Sequence, residues 1–449
     1  MGYGQTWLFR YPAPQNEALA GGEREFSRQS SYYDLEDSSE EEPAANRNRD
    51  RDVAAFTMTP ISSDRILVTT PWSVCELLYL HNDKQFHLDP VGMSPSKEKY
   101  SDLDHAMASA GMPHESSVLA CDVLTISPSK SVLVLLYQEP RGRCCLTLQS
   151  IPDSSSKTDL SHERSRFEQS SVPLKSVVVN VRDVIGALSF FGVLLFRTDS
   201  IIACGYVTDD STVKTEAAQL SPEQFASFFP HLVDFPYAVV SYHTLTHEGT
   251  RLLALGCANG VVRLFSGKAA YDGFATVTET KQFELDGPIS SLHLFNVHAS
   301  QGSLLCDVLV SSSIGYAVVY HHPFNPACTA HVLPDSDYFD SILCCLSADI
   351  DMDGSAELLL GTFSNALIAY KHNRATPNAP WSVLTKDRWD FFFFGPVYSI
   401  VCQDMNGDGV DEIIIASTDG IHVLEPDCDQ VREKLQAVLT LLQPSETSS

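Results

Sequence analysis

LLALGCANGVVRLF, from Leu252 to Phe265, decides the fold of this chain because it returns three more times. The other copies are DVLVSSSIGYAVVY from Asp307, ELLLGTFSNALIAY from Glu357 and EIIIASTDGIHVL from Glu412. Each joins two apolar runs through small polar residues, with Gly260, Gly315, Asn365 or Gly420 at the turn. Gly or Asn there permits the positive φ that a tight hairpin needs. Multi-strand units recurring every 50–55 residues are the sequence mark of a β-propeller. Followed toward the N-terminus, the same template finds turns at Ser200, Gly142 and Ser73. Seven units result, so the expected fold is all-β: a single seven-bladed β-propeller, with six or eight blades as the alternatives because a ring can close with strands from both termini.

Outward from the repeats, the chain divides into five segments. They are an N-terminal strand over 1–11, an acidic disordered insert over 12–54, the propeller over 55–426, an amphipathic helix over 427–443 and a disordered tail over 444–449. The insert contains DLEDSSEEEPAANRNRDRD, too poor in apolar groups to offset the entropy of ordering. LSPEQFASFF from Leu220 reads as a short helix, with Ser221 as N-cap and Pro222 in its first turn. In the terminal helix, Leu435, Val438 and Leu442 share one stripe. That stripe is expected to meet either the ring itself or a partner protein.

Composition narrows the function. The balance of 30 basic and 57 acidic side chains gives a formal charge of −27, which repels phosphate backbones and argues against nucleic-acid binding. Twelve cysteines form no CxxC pair and lie mostly in apolar runs, the pattern of reduced thiols in a cytoplasmic protein. No run is long enough for a membrane helix, and MGYGQTWLFRYP has no signal-peptide core. GxSxG, Walker, GxGxxG and HExxH motifs are all missing, so no enzyme is expected. His243 and His247 are four apart in a strand context, where that spacing does not converge, and His321 and His322 end a strand.

Two acidic loops carry the chemical content. DIDMDGSAE runs from Asp349 to Glu357, and DMNGDGVDE from Asp404 to Glu412. Asp349, Asp351 and Asp353 alternate, as do Asp404, Asn406 and Asp408, and Glu357 and Glu412 close the two loops. Alternating oxygens from a tight loop suit Ca2+, which takes six to eight hard ligands. The flanking runs are strand-like, which rules out an EF-hand. The alternative is a plain polar turn in which the final Glu starts the next strand.

The acidic loops followed by ELLLGT and EIIIAS resemble FG-GAP repeats, the blades of integrin α chains. The chain also resembles the kaptin family. That resemblance rests on DSDYFDSILCCLSADIDMDGSAELL from Asp335, VLVSSSIGYAVVY from Val308 and DGVDEIIIASTDGIHVL from Asp408, and on FSRQSSYYDL from Phe26, which is similar to the family's opening FxxQSxxY. It is dense from Tyr237 to Leu424 and patchy before. The resemblance implies a non-catalytic scaffold subunit of KICSTOR, paired with a second FG-GAP-type propeller and other KICSTOR subunits. It implies recruitment of the GATOR complex to the lysosomal membrane and restraint of target-of-rapamycin (TORC1) signalling in response to nutrients. The alternative it implies is an actin-filament-binding protein of lamellipodia and stereocilia. An acidic protein would meet acidic filaments through a local basic patch, and Arg141, Arg143, Arg164 and Arg166 are the candidates, diluted by Glu163 and Glu168.

Overall fold

In the computed structural model, seven antiparallel sheets follow one another along the chain. The structure describes residues 3–9, 56–91, 115–127, 130–151, 164–209, 216–270, 273–300, 303–373, 380–384 and 391–442, with a few positions between 103 and 113. The acidic insert, FSRQSSYYDL and the tail over 444–449 lie outside the described residues.

Six sheets are built from consecutive strands. Blade 4, for example, runs through Val239–His247, Thr250–Cys257, Val261–Ala270 and Gly273–Glu284. Blade 5 uses Ile289–Ser300, Ser303–Ser312, Ala317–His321 and Thr329–Val332. Blade 6 uses Ile342–Ala348, Glu357–Thr362, Ala366–His372 and Trp381–Val383, with Phe391–Phe392 also paired to its third strand. Blade 7 is the exception. Its strands Val397–Gln403, Glu412–Ser417 and Ile421–Pro426 are completed by Tyr3–Phe9, which pairs antiparallel with the third of them. The first strand of the chain thus covers an edge that would otherwise be open.

All seven turns read from the repeat template fall between the second and third strands of a blade. Gly260, Gly315 and Asn365 have φ of 86°, 99° and 66°. The second strands are apolar almost without alternation because each sheet is packed on both faces; every residue of Glu357–Thr362 and of Glu412–Ser417 is buried. Between neighbouring blades lie seven hydrophobic clusters, one per interface. The cluster of Met58, Ile66 and Leu77 with Ile414, Ala416 and Val423 joins blade 1 to blade 7 and closes the ring. Small residues in the second strands let the blades approach. A Cβ on Gly361 would lie 2.5 Å from Val397 of the next blade, and one on Gly256 would lie 2.5 Å from Ile289.

The helix Pro222–Phe228 has the expected Ser221 cap, in a box completed by Gln224. The terminal helix spans Cys428–Leu442, and Asp427 Oδ1 caps it by accepting from the backbone N–H groups of Asp429 and Gln430 at 3.0 and 3.4 Å. Leu435 is 57% exposed, and Leu439 is exposed as well. Lys434 of this helix reaches the backbone carbonyl of Asp351.

Candidate functional site

In a blade of antiparallel strands, successive connections alternate between the two faces of the disc. The two acidic loops join first to second strands, so they lie on the face opposite the repeat turns. Each loop ends in a glutamate that is also the first residue of a second strand. Glu357 starts its strand while its carboxylate turns back to accept from the Ile350 N–H at 3.0 Å. Glu412 does the same with the Met405 N–H at 2.8 Å. Both are fully buried.

Position one of the repeat is acidic in three blades: Asp307, Glu357 and Glu412. What stands across from it, on the third strand, differs each time. In blade 6 it is Lys371. Its ammonium bonds Asp351 and lies 2.7 Å from Asp353 and 3.0 Å from Glu357. Burial works against that charge, yet its hydrogen bonds to the three carboxylates hold the lysine well above its ordinary value. Burial likewise pushes Glu357 up, and Lys371 restrains it. Asp349, Asp351 and Asp353 converge within 4.8 Å, as the alternation required. They converge beside an ammonium of the protein itself, with Asp349 occupied by the N–H groups of Asp353 and Gly354 at 3.0 and 2.8 Å.

In blade 7 the corresponding register position is Glu425, since Ile413 pairs with Leu424. Among the described residues, no lysine meets Glu412. Asn406 Nδ2 donates to it, and Asp404 accepts from the N–H groups of Gly407, Asp408 and Gly409 at 2.8, 3.1 and 2.9 Å. Burial, with Asp408, Asp404 and Glu425 nearby, pushes the Glu412 carboxyl up to about 7. In blade 5 Asp307 faces histidines: His321 Nδ1 lies 3.1 Å and His322 Nδ1 3.6 Å from its oxygens. Burial raises the Asp307 carboxyl, but hydrogen bonds from His321 and Asn296 and the two imidazoles outweigh it and hold it below its ordinary value. Sequence reading found the loops, missed Lys371, read Asp307 only as the start of a repeat copy, and set His321 and His322 aside as the end of a strand. Their signal was a cross-strand register, legible only once the third strands were aligned on the turns.

Two arginines of the basic patch, Arg143 and Arg166, are internally paired. Arg143 meets Glu168 at 3.0 Å and Glu139 at 3.4 Å, and Arg166 bonds Glu139. All twelve cysteines are free thiols. No helix among the described residues is long and apolar enough to cross a membrane. On the turn face, Ile314, Tyr338, Phe363 and Phe394 are exposed, Tyr338 by 80% and Phe394 by 88%. Backbone and side-chain bonds join their loops: Phe363 N–H to Ser341 O at 2.8 Å, Ser364 Oγ to Phe339 O at 2.7 Å and Phe393 N–H to Asn365 O at 2.8 Å.

The ring and its acid-bearing repeats define a seven-bladed β-propeller with FG-GAP-like blades. The profile of the family described as KICSTOR complex protein kaptin matches residues 212–436, half of the chain. The chain belongs to this family. KICSTOR complex protein kaptin of Mus musculus is 31% identical over 224 residues, which is 48% of this chain and 51% of the mouse protein. The chain thus spans about half the length of the curated relative it matches. Among solved structures, Sqt1 of Chaetomium thermophilum bound to the N-terminus of the ribosomal protein L10 covers 83% of this chain and 83% of its own, at 11% identity and a TM-score of 0.42. BBS1N in complex with ARL6DN covers 78% of this chain and 86% of its own, at 8% identity and a TM-score of 0.37. The blade count rests on the sheet order and on closure, not on these likenesses.

Proposed function

We propose that this chain is a non-catalytic scaffold subunit of a KICSTOR-type complex, which recruits the GATOR complex to lysosomes and restrains TORC1 signalling when nutrients fall. The observation that carries this reading is the exposed apolar strip Ile314, Tyr338, Phe363 and Phe394, inside the segment matched by the family profile. Aromatic side chains of this size on a folded surface are the usual anchors of a protein interface. A second FG-GAP-type propeller is the partner this reading expects on the strip. On the terminal helix the exposed Leu435 offers a second contact, the side chains of Val438 and Leu442 lying outside the described ones. Affinity purification of the full chain, with partners read by mass spectrometry, tests the reading. Tyr338→Ser with Phe394→Ser should lose the partner propeller at an unchanged melting temperature, and Leu435→Asp with Leu442→Asp should weaken the same capture. Retention of all partners by both variants would refute the interface.

The actin reading needs free basic charge, and Arg143 and Arg166 are already paired. Strong pelleting of the pure chain with filaments at physiological salt would reverse this ranking. For calcium we propose the blade 7 loop, with Asp404, Asn406, Asp408 and Glu412, because the blade 6 loop has its own ammonium. Calcium should raise the melting temperature, Asp408→Ala should abolish the rise, and Asp353→Ala should leave it intact.

A further inference from the structure

A cleft of about 750 Å³ lies between blades 5 and 6, on the face that carries the acidic loops. Five of its lining residues are histidines: His298, His321, His322, His331 and His372. They come from four strands or strand ends, which explains why no sequence spacing announces them. We propose that this cleft is a zinc-type transition-metal site, with His321, His331 and His372 as imidazole ligands and Asp307 as the carboxylate that orients His321.

The argument begins at Asp307. It is buried, and three groups hold it: Asn296 Nδ2 at 3.0 Å, the backbone N–H of His322 at 3.3 Å and His321 Nδ1 at 3.1 Å. A carboxylate at Nδ1 keeps the proton on that nitrogen and leaves Nε2 with its lone pair. This is the arrangement by which metal-binding histidines are oriented and made more basic. The Nε2 atom of His321 is buried and has no hydrogen-bond partner among the described residues. A polar atom without a partner, in a cleft lined by other imidazoles, is a ligand position.

Two neighbouring imidazole rings stand close to that of His321. Zinc–nitrogen bonds of 2.0–2.1 Å with tetrahedral angles place imidazole ring centres about 5.2 Å apart. The centre of the His331 ring is 5.4 Å from that of His321, and the centre of the His372 ring is 6.0 Å away. The ligand nitrogens of the three histidines are not yet gathered within 4.8 Å of one another, so binding has to rotate His331 and His372 toward His321 Nε2. His331 reaches His321 because Val319 pairs with His331, which makes the two histidines diagonal neighbours on one side of the sheet. His372 comes from the next blade and is braced edge-on by Trp381 at 4.9 Å, while Trp381 lies parallel to the His321 ring. Imidazoles select zinc-like ions over calcium. Three histidines leave a fourth position for water or for a partner's side chain. The ion would tie the edge strand of blade 5 to the third strand of blade 6.

The test uses the full chain freed of metal by chelator and titrated with Zn2+ or Co2+ alone. One equivalent should bind, unaffected by excess Ca2+. Bound Co2+ should show visible tetrahedral d–d bands without the near-ultraviolet charge transfer of thiolate ligands. His331→Gln, at a half-exposed position of an edge strand, should weaken binding at least tenfold with unchanged melting. Asp307→Asn should weaken it about 10–100-fold and shift the Co2+ spectrum, the mark of a positioning residue. The proposal fails if no saturable binding occurs, if binding survives in both His331→Gln and His372→Gln, or if the bands report cysteine ligation.

Discussion

Glu412→Gln should stabilise the protein, and only at neutral to alkaline pH. The native carboxyl titrates at about 7, against an ordinary value of 4.5, because it is buried beside Asp408, Asp404 and Glu425 with no cation opposite among the described residues. Between those two values the native state keeps a proton that the unfolded chain has released. Stability therefore falls as pH rises through this window, and the full cost is present above it. A shift of that size corresponds to about 3 kcal/mol at 1.36 kcal/mol per unit. Gln keeps the volume, and its carbonyl can still accept from the Met405 N–H. At about 2.1 cal/mol/K per residue, removing a cost of this size from a ring this large raises the melting temperature by about 3–4 °C. The assay is paired thermal melting of wild type and variant, in a calcium chelator, at pH 8.5 and at pH 4.5. The gap should be present at the first pH and close at the second. A variant that melts below wild type at pH 8.5, or a gap independent of pH, would refute the account. Adding calcium at pH 8.5 should then raise the wild type more than the variant, since an ion would favour the ionised glutamate.

Lys371→Met should do the opposite in blade 6, leaving Glu357 buried without its ammonium at a cost of about 3–5 kcal/mol; a loss below about 1 kcal/mol in denaturant unfolding would show that Lys371 does not hold the loop. Millimolar calcium should restore part of that loss, because Asp351 and Asp353 are released. Removing residues 1–9 strips the fourth strand from blade 7 and should lower the melting temperature, with recovery when a peptide of the same sequence is added; a truncated chain that melts like the intact one would mean the closure does not matter. His243 and His293, ring to ring at 4.4 Å on the first strands of blades 4 and 5, are pulled down by burial to about 4 and about 3. Their contribution is intact above the ordinary value near 6.5 and is lost as pH falls below it. His293→Asn should therefore melt later than wild type relative to their pH 7.5 difference when both are measured at pH 5, and an unchanged difference would exclude the pair as the acid-sensitive element.

The repeat strings determined most of the fold by themselves. A second strand packed on both faces must be apolar throughout, and a tight turn after it needs Gly or Asn, so ELLLGTFSN and EIIIASTDG display their place in a blade directly. Seven such turns count seven blades, and the helix near Leu220 and the one after Asp427 are written in local capping and periodicity. The acidic loops were equally plain, because their residues are neighbours in the chain. What meets the acid at the head of each second strand was not. Lys371, Glu425 and His321 occupy related places on third strands of unlike sequence, and only pairing register shows that one acid is neutralised, one is left bare and one orients an imidazole. The cleft histidines come from two blades, and Tyr3–Phe9 reaches Ile421–Pro426 across the whole chain. Short-range chemistry is legible in sequence because bonded neighbours set it; a cross-blade site depends on ring closure, which no stretch of residues contains.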